Sequence, residues 1–241
     1  GLGDVYKRQI MVLFRGDIKC KSLQRRTSVS VILPADNIHY LQGTEEIAEK
    51  PYKTLYLLHG LFGSDDIFLA NTTIQKFAED HNIAVVLPSG ENSFYVDQKE
   101  SHKYYGEFIG RELVEMTRNI FPLSHKKEDT YLAGFSMGGY GAIRNGLKYH
   151  DTFGYIGAIS AALLNKVIGS DMDPKFLIDD LIAKDIEIPK IFMAVGDNDF
   201  LYNENMDYYN YLKSRNVDVE FRCSSGEHTW EFCNDYIKEF I

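Results

Sequence analysis

The chain has 241 residues, 44% of them hydrophobic, and a formal net charge of −9 with acidic and basic residues interspersed. That length supports one sizeable core, and the mixed, acidic charge argues against nucleic acid or an anionic membrane surface as the main partner. No apolar run approaches the roughly 20 residues of a membrane-spanning helix, and the three cysteines, Cys20, Cys223 and Cys233, form no CxxC pair and read as ordinary thiols of a reducing compartment.

In chain order, the first segment is set aside. Asp4-Val5-Tyr6-Lys7-Arg8-Gln9 reads as the translation of a sequencing-library adapter, so residues 1–9 are expected to be an assembly artefact, with a natural start near Met11. Nothing near Met11 has the length of a signal-peptide core, and the expected location is cytoplasmic. Residues 27–33 (TSVSVIL) alternate and are β-branched, a strand stopped by Pro34. Residues 39–50 are polar and loop-like. Residues 53–58 (KTLYLL) form a short apolar strand broken by His59-Gly60, and residues 71–80 fit a helix capped by Asn71 or Thr72. Residues 83–87 (IAVVL) read as a strand buried on both faces. Residues 104–121 carry a helical apolar face through Phe108, Leu113, Met116 and Ile120. A strand over 130–134, a helix over 138–149 and a strand over 155–160 follow. The stretch 162–189 is long enough to hold a small lid, and its Ser170-Asp171-Met172-Asp173-Pro174 reads as a turn and helix start. Strands at 190–195 and 217–222 and helices near 205–214 and 230–240 complete the chain. This alternation predicts a mainly parallel central sheet with helices on both faces, in one domain over 11–241.

In such sheets, sites lie beyond the carboxyl ends of the strands. Gly134-Phe135-Ser136-Met137-Gly138 is a G-x-S-x-G pentapeptide between a strand and a helix, the context of a nucleophile elbow. A serine hydroxyl needs a neutral imidazole to take its proton, and that imidazole needs a carboxylate to hold its tautomer. The order Ser, then Asp or Glu, then His is met by Ser136, the pair Asp197 and Asp199, and His228, the sole histidine after His150. Met137, following the nucleophile, supplies one oxyanion-hole N–H, and Leu61 in His59-Gly60-Leu61-Phe62-Gly63 the other. His59 is expected to fix that loop by hydrogen bonding. Asp65-Asp66 and Asp171/Asp173 lack the ligand spacing of a calcium loop, so no metal and no cofactor are expected.

These motifs resemble the esterase D-like branch of the α/β-hydrolases, the group of tributyrin, acetyl and feruloyl esterases. The resemblance runs from about Leu13 onward, through residues 27–34, Leu57 to Gly63, Gly134 to Ala142, Asp199-Phe200-Leu201-Tyr202 and Gly226-Glu227-His228-Thr229-Trp230-Glu231-Phe232. In that family the acid precedes a Phe-Leu pair, which favours Asp199 over Asp197. The chain departs from the family at Cys233-Asn234-Asp235, where an aromatic-Asp pair is usual, and at Phe68, where Trp is usual. The resemblance implies an α/β-hydrolase fold and a serine carboxylesterase that hydrolyses short-chain acyl, acetyl or feruloyl esters through an acyl-enzyme. Its substrate would be a small or polysaccharide-linked ester. Phe62, Phe68, Phe94, Tyr95, Tyr140, Leu201, Tyr202 and Trp230 lie near the expected site, either lining an apolar pocket or packing the core. An S-formylglutathione-type thioesterase, an acyltransferase and a non-catalytic module on the same scaffold are the competing readings, and a homo-oligomer is left open.

Overall fold

The computed structural model describes residues 12–34, 50–163 and 170–241. The expected artefact and the loop at 39–49 lie outside them. The elements are β1 (Val12–Cys20), β2 (Arg25–Leu33), β3 (Lys53–Leu58), α1 (Ile67–Asn71), α2 (Ile74–Asp80), β4 (Ile83–Pro88), β5 (Asp97–Gln98), β6 (Lys103–Tyr104) and α3 (Tyr105–Glu107). The chain then runs through a π turn (Phe108–Glu112) into α4 (Leu113–Ile120). The rest is β7 (Thr130–Phe135), α5 (Met137–Lys148), β8 (Tyr155–Ile159), α6 (Pro174–Ala183), β9 (Lys190–Gly196), α7 (Tyr202–Ser214), β10 (Val219–Ser224) and α8 (Trp230–Phe240).

Eight strands form one sheet in the order β1-β2-β4-β3-β7-β8-β9-β10. The β1–β2 and β2–β4 pairs are antiparallel, and every other pair is parallel. Successive side chains of a strand point to opposite faces. Tyr56 and Leu58 of β3 therefore join one buried cluster with Leu113, Ile143 and Leu212 of α4, α5 and α7. Leu55 and Leu57 join the other, with Phe77 of α2 and Phe232 and Ile237 of α8. Both faces are thus covered by helices, and β3, β4 and β7 read as unbroken apolar runs because neither face meets water.

The structure corrects the sequence reading at three places. β1 has no counterpart in the predicted elements: most of it is exposed, so it carries no apolar alternation. The single helix over 71–80 is two short helices, α1 ending at Asn71 and α2 starting at Ile74, with Thr72 and Thr73 as the joint. The helix over 104–121 contains the π turn, and its buried face runs through Phe108, Ile109, Leu113, Val114 and Thr117, leaving Ile120 exposed. The stretch read as a lid carries α6, which starts at Asp173 as expected: its carboxylate accepts from Lys175 N–H at 2.9 Å and Pro174 occupies the first turn. Leu177, Ile178 and Leu181 of α6 are buried in the core cluster with α5.

Chain order passes from β3 to β4 on one side and then to β7 on the other, so β3 and β7 flank the switch point where such sheets open a crevice. The loops after β3, β7, β8, β9 and β10 leave the carboxyl ends of parallel strands and gather at one edge.

Candidate active site

Ser136 sits on the turn between β7 and α5 with φ 58° and ψ −116°. A non-glycine residue there is strained, and such strain persists only where the surroundings enforce it. They do so by close backbone contact. A Cβ on Gly138 would lie 1.9 Å from the Leu58 carbonyl oxygen, and one on Gly134 would lie 2.3 Å from the Gly138 backbone. Strand, turn and helix can pack this tightly only because both positions are glycine. Ser136 N–H donates to Ile159 O at 3.0 Å, and Ser136 O accepts from Ala162 N–H at 2.9 Å and Tyr140 N–H at 3.2 Å.

His228, in the loop between β10 and α8, bonds Asp199 through Nδ1 to Oδ2 at 2.9 Å. The Asp199 side chain is fully buried and His228 is 18% exposed. Burial pushes the Asp199 carboxyl up. Hydrogen bonds from His228 Nδ1 and from Leu201 N–H (2.8 Å), with the polar Ser160 side chain nearby, outweigh that and hold it below the usual carboxylate value. An ionised Asp199 can only accept, so in this hydrogen bond His228 Nδ1 is the donor and Nε2 takes no part in it. The His228 ring stacks on Phe135, the residue just before Ser136, with centroids 4.6 Å apart and planes at 24°. Phe200 packs against the ring at the same distance, tilted by 51°. These contacts place the imidazole beside the elbow.

Asp197 does not touch His228. Its Oδ1 accepts from Gly226 N–H at 3.1 Å, while Asn198 N–H donates to Gly226 O at 3.0 Å. Asp197 therefore ties the loop after β9 to the loop that carries His228. Asn205, fully buried, clamps a third loop: it bonds Ala161 N–H at 3.2 Å, Ala161 O at 2.9 Å and Leu201 O at 2.8 Å. Sequence reasoning missed Asn205, and a lone Asn in a helix carries no signal of such a role.

The loop after β3 is held just as closely. His59 is buried. Its Nδ1 bonds Gly60 O at 2.7 Å and its Nε2 accepts from Gly90 N–H at 2.8 Å, so the proton sits on Nδ1. Burial lowers the pKa of this imidazole and keeps it neutral. Tyr95 OH donates to His59 O at 2.9 Å. Gly63 N–H closes a turn onto Gly60 O at 3.3 Å, with Phe62 at φ 63° and its N–H on Asn92 Oδ1 at 2.8 Å. A Cβ on Gly60 would lie 3.3 Å from Ser136 Cβ, so this loop runs directly past the serine. Leu61 N–H makes no hydrogen bond among the described residues. Met137 N–H is one of the first-turn donors that a helix leaves without an internal acceptor.

The aromatic candidates divide. Phe62 is 90% exposed at the loop tip, and Trp230 is half-buried between Phe68 and Phe135. Phe68 and Tyr95 are fully buried and present no surface to a substrate in this conformation; one packs Trp230, the other tethers His59. Tyr140 and Leu201 are nearly buried, and Tyr140 OH donates to Met172 O at 2.6 Å. No cluster of three or more His, Cys, Asp or Glu among the described residues could hold a metal. Among them, no helix is long and apolar enough to cross a membrane.

Comparison with known proteins agrees with this geometry. The sequence profile of the Esterase family matches residues 20–234. An acetyl esterase of Caldicellulosiruptor saccharolyticus is 40% identical over 255 aligned positions, which span 94% of this chain and 96% of that one. Two solved Staphylococcus aureus structures are each 31% identical to it. One is FphF, a fluorophosphonate-binding serine hydrolase (TM-score 0.84, covering 95% and 96% of the two chains). The other is the S-formylglutathione hydrolase FrmB (TM-score 0.85, 95% and 97%). A ferulic acid esterase at 21% identity shares the fold, with TM-score 0.76. The chain belongs to the Esterase family and is a carboxylic ester hydrolase built on the α/β-hydrolase fold.

Proposed function

We propose that the chain is a serine carboxylesterase for short acyl esters, acetyl esters foremost, with Ser136 as nucleophile, His228 as general base and Asp199 as the group that orients it. The observation that carries this reading is the buried Asp199 carboxylate bonded to Nδ1 of an imidazole stacked beside the elbow. As Ser136 Oγ attacks the ester carbonyl, its proton passes to His228 Nε2 and the carbonyl electron pair moves onto oxygen. The N–H groups of Leu61 and Met137 stabilise that oxyanion. Collapse breaks the bond to the alcohol, which leaves with the proton from His228. Water, deprotonated by His228, then attacks the acyl-enzyme and releases the acid and free Ser136. No step needs a cofactor.

The acetyl preference rests on the Caldicellulosiruptor relative. Phe62, Leu201, Tyr140 and Trp230 are the proposed substrate-facing side chains, and the described part of the predicted lid stretch, residues 170–189, the proposed rim of the pocket. A second reading, a thioesterase acting on S-formylglutathione, is favoured by the likeness to FrmB. Initial rates on p-nitrophenyl acetate, butyrate and octanoate, methyl ferulate, acetylated xylan and S-formylglutathione separate the two, with Ser136→Ala alongside. Acetate turned over by the wild type alone is the expected result. Faster turnover of S-formylglutathione would favour the second reading, and equal rates in the two proteins would remove Ser136 from the chemistry.

A further inference from the structure

We propose that the free edge of β1 is a self-association surface, taken by β1 of a second copy of this chain running antiparallel about a two-fold axis at Gly16. Among the described residues β1, nine residues long, is the end strand of the sheet and has β2 as its one strand partner. Such an edge templates another strand unless something blocks it.

The sequence of β1, VLFRGDIKC, is self-complementary about its centre. With Gly16 opposite Gly16, Arg15 faces the second copy's Asp17 and Phe14 its Ile18, and each pair occurs twice. Side chains directly opposite in an antiparallel pair share a face. Both charged pairs fall on one face and both apolar pairs on the other, as the alternation of β1 requires. The apolar face continues into a groove of about 160 Å³ lined by Phe14, Ile18, Val31, Met116, Ile120 and Phe121. Phe14 is 48% and Ile120 61% exposed there.

Other registers fail on charge. Centring on Arg15 sets arginine against arginine. Centring on Asp17 sets Asp17 against Asp17 and Arg15 against Lys19. A one-residue slip puts the polar face of one strand beside the apolar face of the other. Gly16 is also unexplained by the fold of one chain. The β1–β2 register runs through it without a bulge, and a Cβ there would meet nothing within 4 Å. A glycine inside a strand often marks the close approach of another backbone. Two existing contacts lie on this surface and must be exchanged when the strands pair: Arg15 gives up Asp65 and Asp66 for the second copy's Asp17, and Arg26 leaves Asp17 O, which points to the free edge. Six strands separate this edge from β10, so the pairing leaves the His228 loop free.

Light scattering on the eluting protein tests this. Wild type should elute at twice the chain mass of 27.6 kDa. Arg15→Asp and Asp17→Arg each turn two attractive pairs repulsive and should raise the dissociation constant by at least about tenfold. Mixed together, the two variants should form a heterodimer, because every facing pair is again of opposite sign. Since Arg15→Asp also loses its Asp65 contact, a second measurement stands apart from it. Gly16→Cys in a Cys223→Ser background should form a disulfide-linked dimer under mild oxidation, and the added Asp17→Arg should suppress it. A monomeric wild type, a dimer indifferent to both reversals, or no heterodimer and no cross-link would overturn the proposal. Ester hydrolysis by the separate variants reports on folding and is expected to persist.

Discussion

Asp199→Asn isolates the contribution of the carboxylate without changing shape. The wild-type group accepts from His228 Nδ1 at 2.9 Å and from Leu201 N–H at 2.8 Å. An amide has one acceptor oxygen and one donor NH2. Leu201 N–H demands the oxygen, so the NH2 must face His228 Nδ1. That contact is satisfied only if Nδ1 gives up its proton, which moves to Nε2, where it blocks acceptance of the Ser136 proton. A wrong tautomer of this kind lowers kcat by about 10,000-fold, or about 5.5 kcal/mol of transition-state stabilisation. Substrate binding does not use this group, so KM should change by only a few-fold. Loss of hydrogen bonds to a charged acceptor should lower stability by about 1–2 kcal/mol. The assay is kcat and KM on p-nitrophenyl acetate, with a urea melt to show that both proteins are folded. Asp197→Asn is the comparison, since Asp197 only pins Gly226, and it should keep kcat within a few-fold. An Asp199→Asn enzyme with a tenth of wild-type kcat, or an Asp197→Asn enzyme with the larger loss, would refute the tautomer argument.

Other outcomes follow from the same contacts. His59→Ala strips the partner from the buried Gly90 N–H and frees the Gly60 turn; stability should fall by about 3 kcal/mol, and kcat should fall more than KM rises, as steady-state kinetics will show. Gly138→Ala drives a methyl against the Leu58 carbonyl, and the expected result is little or no soluble enzyme, whereas Gly60→Ala, with 3.3 Å to Ser136 Cβ, should fold and lose kcat. Acid should unfold the protein. Asp66, Glu91, Glu112, Asp151, Asp171 and Asp199 all have lowered pKa values, so their contribution is complete above the ordinary carboxylate value and is lost as pH falls through the depressed ones. Glu79 and Glu204, raised by burial, oppose this with fewer groups. Urea midpoints should be flat near neutrality and fall below about pH 4. In Glu112→Gln, which loses the carboxylate bonds to Lys21 and Ser22 N–H, the midpoint at pH 7 should drop and the acid slope should flatten. Equal slopes for the two proteins would remove Glu112 from the acid response.

What could be read from the sequence follows from where water is. Strands buried on both faces, such as β3, β4 and β7, announce themselves as apolar runs, and the glycines of the elbow as a motif. β1 is wetted along most of its length and left no trace. The helix over 104–121 was legible in its first half only: Phe108 and Leu113 are buried on either side of the π turn, while the next turns bury Val114 and Thr117 and leave Ile120 exposed. The break at Thr72-Thr73 was hidden as well: two β-branched residues are merely poor helix formers, and it is Thr73 bonding Asn234 of α8 at 2.8 Å that stops the helix there. At the site, order along the chain picked out Ser136 and His228, while two aspartates two residues apart were separated only by a family pattern. Spacing could not separate them, because the turn after β9 sends one carboxylate inward to His228 and the other outward to Gly226.

The supports of this site are mostly backbone, and that explains their distribution in sequence. Ser136 and Met137 are placed by glycine contacts and by carbonyls of β3 and β8, which depend on exact fit of the main chain, and the Leu61 loop by its Gly60–Gly63 turn together with His59, Tyr95 and Asn92. His228 depends on side chains most. Its loop is exposed on one side, so its position rests on side chains: Asp199 below, Phe135 and Phe200 around the ring, and Asp197 holding Gly226 behind it. In the proposed mechanism, a nucleophile and oxyanion donors held this way need no reorganisation as charge develops. The base must accept a proton from one group and deliver it to another, and side-chain packing leaves the ring room for that small movement. Substitutions around Phe200 should therefore change rates while leaving stability nearly untouched, because this ring is 76% exposed and buries little besides the imidazole. Phe200→Ala is expected to lower kcat several-fold with a melting temperature close to wild type. A large loss of stability with unchanged kcat would show that Phe200 serves the fold and not the histidine.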